Sequence, residues 1–318
     1  MSSEPKKFRL LTRSDFDGLV CAILLKELGI LGSIEFVHPK DVQDGKIAVT
    51  DNDILTNLPY DPGCHLCFDH HPSEETRTRD WSSSNHILTA GADSAARVLY
   101  KYYGGRAAFP NISEQMIAEV DKADSAKFVR EDVLNPQGWV LLSFLMDPRT
   151  GLGRFRDFRV SNYQLMMQLI DYCREHTIEE VLNLPDVRER IELYQEHHDR
   201  FVAQIQRCTK VYGSVAVLDL RAEEVIHPGN RFMIYALYPE CDLSIHVIHG
   251  LKRMNTVLAV GKSIFNRNSK AQIGHLLLTY GGGGHDAAGT CQIANESADE
   301  VLHELIDLIG YSKAPAMV

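Results

Sequence analysis

With 318 residues and 44% hydrophobic content, the chain has apolar mass for one large core or two ordinary ones. Its 33 basic and 43 acidic residues give a formal charge of -10, which argues against a duplex nucleic-acid partner, because such a surface is basic, while leaving room for a small basic pocket. No stretch has the run of apolar residues that crosses a bilayer, so no membrane partner is expected.

Residues 1–7 lead into a strand-like segment and lack a signal-peptide apolar region. Residues 8–12 read as a first strand, and 19–28 as a helix with apolar residues at helical spacing and Gly29 at its end. Strands follow at 33–37, at 54–58 (stopped by Pro59) and at 65–68. Cys64-His65-Leu66-Cys67 has the spacing of half a zinc site, but no second half occurs and its alternation fits the strand. The seven cysteines are odd in number and scattered, and read as reduced cytoplasmic thiols. Residues 91–103 predict a helix with Asp93 or Ser94 near its start. Residues 113–120 predict another, which delivers Asp121 and Asp124 at its end. Short strands alternating with helices imply a doubly wound parallel sheet. From 163 to 212 the pattern is helical and charged, and 187–211 reads as one long helix joining two domains. Beyond it, 214–220, 241–248 and 256–260 read as strands and 299–309 as a closing helix.

Asp15-Phe16-Asp17-Gly18 follows the first strand. Two carboxylates two residues apart bind a cation each or clamp a pair, and Gly18 permits the tight turn into the helix. An N-cap and a turn explain the same residues taken alone. Asp69-His70-His71 ends the fourth strand ahead of Pro72. None of the three gains from apolar burial, whereas carboxylate and imidazole together suit divalent transition metals. The carboxyl edge of a parallel sheet is where open α/β folds place ligands. If the sheet is parallel, Asp15, Asp17, Asn57, Asp69, His70 and Asp124 can meet at one edge. Two divalent cations about 3.5–4 Å apart activate water and neutralise phosphoryl charge. Asp and His ligands without thiolate point to Mn²⁺ before Zn²⁺, with Mg²⁺ an alternative.

A third segment, Gly281-Gly282-Gly283-Gly284-His285-Asp286-Ala287-Ala288-Gly289, puts four glycines in a row. Such a run suits backbone N–H groups that approach an anion closely. His285 would then contact phosphate or sugar, and Ala287 onward can start a helix whose N-terminus favours negative charge. Upstream, Arg267 is a natural bidentate partner for phosphate, or a solvated surface Arg. Phe16 and Tyr280 could stack on a base or belong to the core.

Taken in order, the Asp-x-Asp-Gly loop, the strand-end Asp-His-His, Asp124-Ser125 after a helix and the late Gly-Gly-Gly-His resemble the DHH phosphoesterase superfamily. The branch is the one with a C-terminal DHH-associated domain, which includes nanoRNA/oligoribonuclease-like and pAp phosphatases, cyclic-dinucleotide phosphodiesterases and exopolyphosphatase-like sequences. The resemblance covers essentially the whole chain. It implies that Asp15, Asp17, His70 and Asp124 hold metal, that His71 contacts the phosphate and that Asp69 supports the site. It further implies that Gly282, Gly283, Gly284 and His285 form the substrate loop, with Arg267 binding phosphate. Two positions depart from the pattern. Arg13 stands where the family often has His; it stays protonated and ligates no metal, though its guanidinium could take part of the charge role of a lost cation. Asn57 stands where a metal-bridging Asp is usual and is a weaker, neutral ligand. The expectation is therefore that Asp17, His70 and Asp124 keep a metal while the other site is weak or absent.

The expected architecture is a catalytic domain over 1–190, a linker helix over 191–212 and a smaller α/β substrate-binding domain with a mixed sheet over 213–318, with the cleft between the domains limiting substrate size. The expected activity is metal-dependent hydrolysis of small phosphorylated compounds such as short oligonucleotides, pAp or cyclic dinucleotides. The alternatives are an exopolyphosphatase or pyrophosphatase-like hydrolase, and a hydrolytically impaired regulatory protein that binds a phosphate ligand. The long charged helix leaves a homodimer open, with a solvated linker the more ordinary reading.

Overall fold

The computed structural model describes residues 6–79, 83–155 and 157–310; the start of the N-terminal segment, residues 1–5, lies outside them. The chain divides into two units, Met1–Phe128 with Pro136–Leu193, and Val129–Asn135 with Tyr194–Val318. In chain order the elements up to the long helix are β1 (Phe8–Thr12), α1 (Phe16–Glu27), β2 (Leu31–Phe36), α2 (Pro39–Gln43), β3 (Asp53–Thr56), β4 (Leu66–Asp69), α3 (Pro72–Arg77), β5 (His86–Leu88), α4 (Ala95–Tyr102), α5 (Glu114–Asp124), α6 (Arg130–Leu134), α7 (Gly138–Met146), α8 (Asn162–Glu175), α9 (Ile178–Leu182) and α10 (Pro185–Cys208). After it come β6 (Thr209–Tyr212), β7 (Val215–Asp219), α11 (Met233–Leu237), β8 (Leu243–His249), β9 (Thr256–Lys262), α12 (Ile273–Leu278), β10 (Gly283–Gly284), β11 (Ala288–Ile293) and α13 (Ala298–Gly310).

The first unit is built on a five-stranded parallel sheet in the order β2-β1-β3-β4-β5. Leu10, Leu11, Ile54, Leu55, Cys67 and Phe68 are buried, as strands covered on both faces require. Helix α1 is buried from Phe16 through Leu25, so it is a core helix with no solvent face along that stretch. Phe16 stacks on Trp139, with ring centroids 5.7 Å apart; it is a core residue and no shelf for a base. A Cβ at Gly18 would lie 2.0 Å from the Arg13 carbonyl oxygen, so only glycine admits this turn from strand to helix. At one end of β1, Arg9 grips Asp53 through Nε–Oδ1 at 2.7 Å and Nη2–Oδ2 at 2.8 Å. At the other, the Thr56 hydroxyl donates to Thr12 Oγ1 at 2.8 Å. These contacts fix β1 against β3 and align their carboxyl ends.

Several elements differ from the sequence reading. The third strand stops at Thr56, because Asn57 turns into the left-handed region at φ 55° and its N–H donates to the Phe68 carbonyl. β5 and α7 carry no periodic pattern: the first has three residues and the second is apolar throughout. The long helix ends at Cys208, and the next four residues pair with β7 as β6.

The second unit holds a six-stranded mixed sheet in the order β10-β11-β9-β8-β7-β6, in which only β7 and β8 run parallel among the described strands. Val217, Ile245, Leu258, Val260 and Leu305 form part of its core. The Val129–Asn135 segment belongs here through Arg130, which donates to the Ala236 carbonyl, and Asn230, which donates to that of Val133. The helix expected from Ala287 onward is instead the strand β11, antiparallel to β9. Its period is two, with Cys291 and Ile293 buried and Thr290 and Gln292 exposed. Among the described residues no helix is long and apolar enough to cross a membrane. All seven cysteines are free.

Candidate active site

The carboxyl ends of β1, β3 and β4 lie side by side, and the polar residues that follow them share that edge. Asp15 is the N-cap of α1: its side chain accepts from Gly18 N at 3.0 Å and pairs with Arg13 Nε at 3.2 Å. Asp17, two residues further on, is buried at 2% exposure. Its carboxylate accepts from Ala95 N at 3.1 Å and Ala96 N at 2.8 Å, the first amides of α4. The free N–H groups of a helix start favour an anion. Burial, then the nearby Asp124 charge, nevertheless push the Asp17 carboxyl upward.

His70 decides the chemistry of this edge. Its Nδ1 lies 2.9 Å from the Ala92 carbonyl oxygen. A carbonyl only accepts, so Nδ1 carries the hydrogen and, in the neutral ring, the lone pair is on Nε2. Nε2 sits 2.9 Å from Asp124 Oδ2, yet is buried and forms no aligned hydrogen bond. Asp17, His70 and Asp124 bring their ligand atoms within 4.8 Å of one another. A bare nitrogen lone pair facing two carboxylates is repulsive unless a cation or a proton lies between them. Without a metal, a proton does: burial opposes the imidazolium, but Asp124 and then Asp17 outweigh it and raise His70 to about 10. The donor set of two carboxylate oxygens and one oriented imidazole therefore fits a divalent ion.

Asp69 organises the neighbouring histidine. Its Oδ1 accepts from His70 N at 2.8 Å and from His71 Nδ1 at 2.7 Å, so Nδ1 of His71 carries a hydrogen. Asn57 is 2% exposed, and both atoms of its amide are buried without a hydrogen-bond partner among the described residues. Asp53 is taken by Arg9 and by Thr50 N and Oγ1, a structural role. Arg149, which sequence reasoning missed, lies on the turn after α7 and donates to Asp147. The charges of Asp147, Asp15 and Asp124 overcome the effect of burial and raise its guanidinium pKa. The Asp-Pro pair before it is a turn signal, but nothing in the sequence ties that turn to this edge.

The remaining expected residues lie in the second unit. Arg267 is exposed and its Nε donates to the Ile264 carbonyl at 2.9 Å. Gly283 and Gly284 form β10 and pair with Thr290 and Gly289; His285 N donates to the Ala288 carbonyl. A Cβ on Gly282 would meet Thr290 O at 2.2 Å, and one on Gly284 would meet Ala288 O at 2.3 Å. The close packing of this hairpin's own backbone already requires these glycines. Tyr280 donates through its hydroxyl to Glu304.

No protein-family model matches the chain, and no curated protein matches it. Among solved structures, the pGpG-specific phosphodiesterase PggH from Vibrio cholerae is 56% identical, covering 95% of this chain and 99% of that one with a TM-score of 0.82. The chain belongs to the DHH phosphoesterase superfamily. It is a phosphodiesterase-type hydrolase. RecJ from Thermus thermophilus in complex with Mn²⁺ (12% identity, 96% of this chain and 52% of that one, TM-score 0.48) and CDC45 from Entamoeba histolytica (8%, 96% and 95%, 0.46) are far more distant.

Proposed function

We propose that the chain hydrolyses the linear dinucleotide pGpG to two molecules of GMP, with one divalent cation, Mn²⁺ before Mg²⁺, held by Asp17, His70 and Asp124. The observation that carries this reading is His70 Nε2 aimed at two carboxylates, its ring held by Nδ1 on the Ala92 carbonyl, in a chain 56% identical over nearly its whole length to a pGpG-specific enzyme. When bound, such an ion supplies Lewis acidity for water and for phosphoryl oxygens. The chain's own groups do the rest. The α4 amides hold Asp17 in place, and the Ala92 carbonyl fixes the His70 tautomer. Asp69 anchors His71 through Nδ1, so that an N–H on Nε2 would donate to the phosphate. Arg13 and Arg149 bring positive charge to the edge where Asp15 sits. With Arg13 on Asp15 and a neutral Asn57, a second cation loses the charge that would hold it. Preorganised charge of this kind is commonly the largest catalytic term. In this reading 1–190 carries the chemistry, 191–212 is a linker, and Arg267, Gly282, Gly283, Gly284 and His285 within 213–318 grip the substrate.

A hydrolysis panel with Mn²⁺, comparing pGpG, pAp, cyclic dinucleotides and polyphosphate, tests the reading. Preferred turnover of pGpG is expected; turnover of polyphosphate alone, or of nothing, refutes it. Two ions at full occupancy after equilibration with excess Mn²⁺ would overturn the one-cation assignment.

A further inference from the structure

Beside the metal-binding edge, within the first unit, lies a cavity of about 120 Å³ that the chemistry above leaves unused. Ser14, between Arg13 and Asp15, forms part of its wall, and Asp147 and Gly153 form another part. Most of its lining is apolar, including Leu145, Met166 and Leu169. An apolar cavity of about 150 Å³ accepts a benzene-sized ring; at about 120 Å³ this smaller one has space for part of a base. Two further polar side chains reach it, Asn162 and Arg190.

Arg190 is 1% exposed. Its Nη1 donates to the Asp186 carbonyl at 2.7 Å and its Nη2 to the Val160 carbonyl at 2.8 Å. Its Nη2 and Nε also reach Asn162 Oδ1, at 3.1 and 3.3 Å. The guanidinium therefore consumes the acceptor end of the Asn162 amide. The donor end remains, and it faces Gly153: a Cβ placed there would lie 3.9 Å from Asn162 Nδ2. Asparagine reads adenine when both ends of its amide are available, because adenine offers the N6 donor and the N7 acceptor; guanine offers acceptors at both O6 and N7. An asparagine left only its N–H groups, and polarised by a cation on its oxygen, favours guanine.

Resting on the pGpG reading, we propose that this cavity is the base subsite, with Asn162 Nδ2 donating to the O6/N7 edge of guanine and Arg190 as a positioning residue that fixes the amide. Ser14, in the cavity wall, lies in the chain between Arg13 and Asp15, which ties the cavity to the residues flanking the cation site.

The test uses Asn162→Asp and Gly153→Leu in the full chain. Aspartate keeps an oxygen for Arg190 but replaces the donor by a second acceptor; leucine adds bulk to the cavity lining from a position with room for a Cβ. The readouts are kcat/KM for pGpG against pApA, and GMP against AMP binding to chelator-treated protein by ligand-observed NMR, with thermal melts to confirm folding. Asn162→Asp is expected to lower the pGpG/pApA ratio by roughly 10- to 100-fold, and both variants to lose preferential GMP binding. Wild-type ratio and wild-type GMP binding in both variants would overturn the subsite while the pGpG activity stands. GMP binding that both variants abolish, in a wild type that cleaves no pGpG, would sink the substrate assignment and leave the guanine subsite.

Discussion

Replacing Asp17 by Asn separates the two roles of this carboxylate. In the metal-free protein it is a helix cap for α4, accepting from Ala95 N and Ala96 N. It is also a buried charge pushed upward by desolvation and by Asp124. The amide keeps one acceptor and turns its NH₂ toward the other backbone N–H, which costs about 1–3 kcal/mol. Removing a buried negative charge that faces Asp124 acts in the opposite direction, so the melting temperature of chelated protein should move by only a few degrees. The metal-bound state behaves differently. A ligand at 100 times its Kd stabilises the fold by about 2.7 kcal/mol, which in a 318-residue chain is about 4 °C. If the lost carboxylate weakens metal binding by about 100-fold, the same concentration yields about 0.4 kcal/mol, or a shift of about 0.6 °C. Differential scanning fluorimetry of both proteins, with chelator and with MnCl₂ at 100 times the wild-type Kd, measures this directly. A variant that keeps the full metal-induced shift would show that Asp17 holds no cation.

Three further outcomes are expected. His70→Ala should abolish pGpG turnover while leaving the circular dichroism spectrum unchanged; a fully active variant refutes the site. In chelated protein, His70 has its folded pKa raised to about 10 from an ordinary 6.5. Its contribution is fully present below pH 6.5 and is lost as pH rises through 10. The wild-type melting temperature should therefore fall over that window, and His70→Ala should lose that component of the slope; an unchanged slope in the variant counts against the imidazolium–carboxylate pair. Gly282→Ala places a Cβ 2.2 Å from the Thr290 oxygen and should lower urea stability by about 2 kcal/mol or more, as strained overpacking does; a neutral result would mean that the hairpin tolerates a wider turn.

The fold was legible where a period or a punctuating residue carried it. Phe8–Thr12 is a strand over the expected range, and the helix ending at Asp124 is capped at Ser113. Helix α1 begins at Phe16, three residues ahead of the apolar spacing that first reveals it, because Gly18 leaves no trace in a hydrophobic pattern while being the residue that lets the chain turn. The misreadings came from segments whose local pattern is mute. α7 is apolar in every direction, and β5 is too short to show a period. Ala287-Ala288-Gly289 has small residues that suit a helix start, but its partner strand lies more than two dozen residues upstream in β9, and pairing at that separation is invisible locally.

The same division holds at the candidate site. Asp17, His70 and Asp124 were found together because each lies at the end of an element on the same side of one sheet, so that topology alone brings them near. Which nitrogen of His70 faces the carboxylates depends on a carbonyl at Ala92, and what holds Asp17 depends on two amides at Ala95 and Ala96. Backbone groups have no sequence identity, so no residue pattern could name them. The consequence reaches beyond this chain: a metal site is specified by its ligands' side chains, but its readiness is set by the main chain behind them. Substitutions at Ala92 or Ala95 that leave every ligand in place should perturb the site as soon as they move the α4 start.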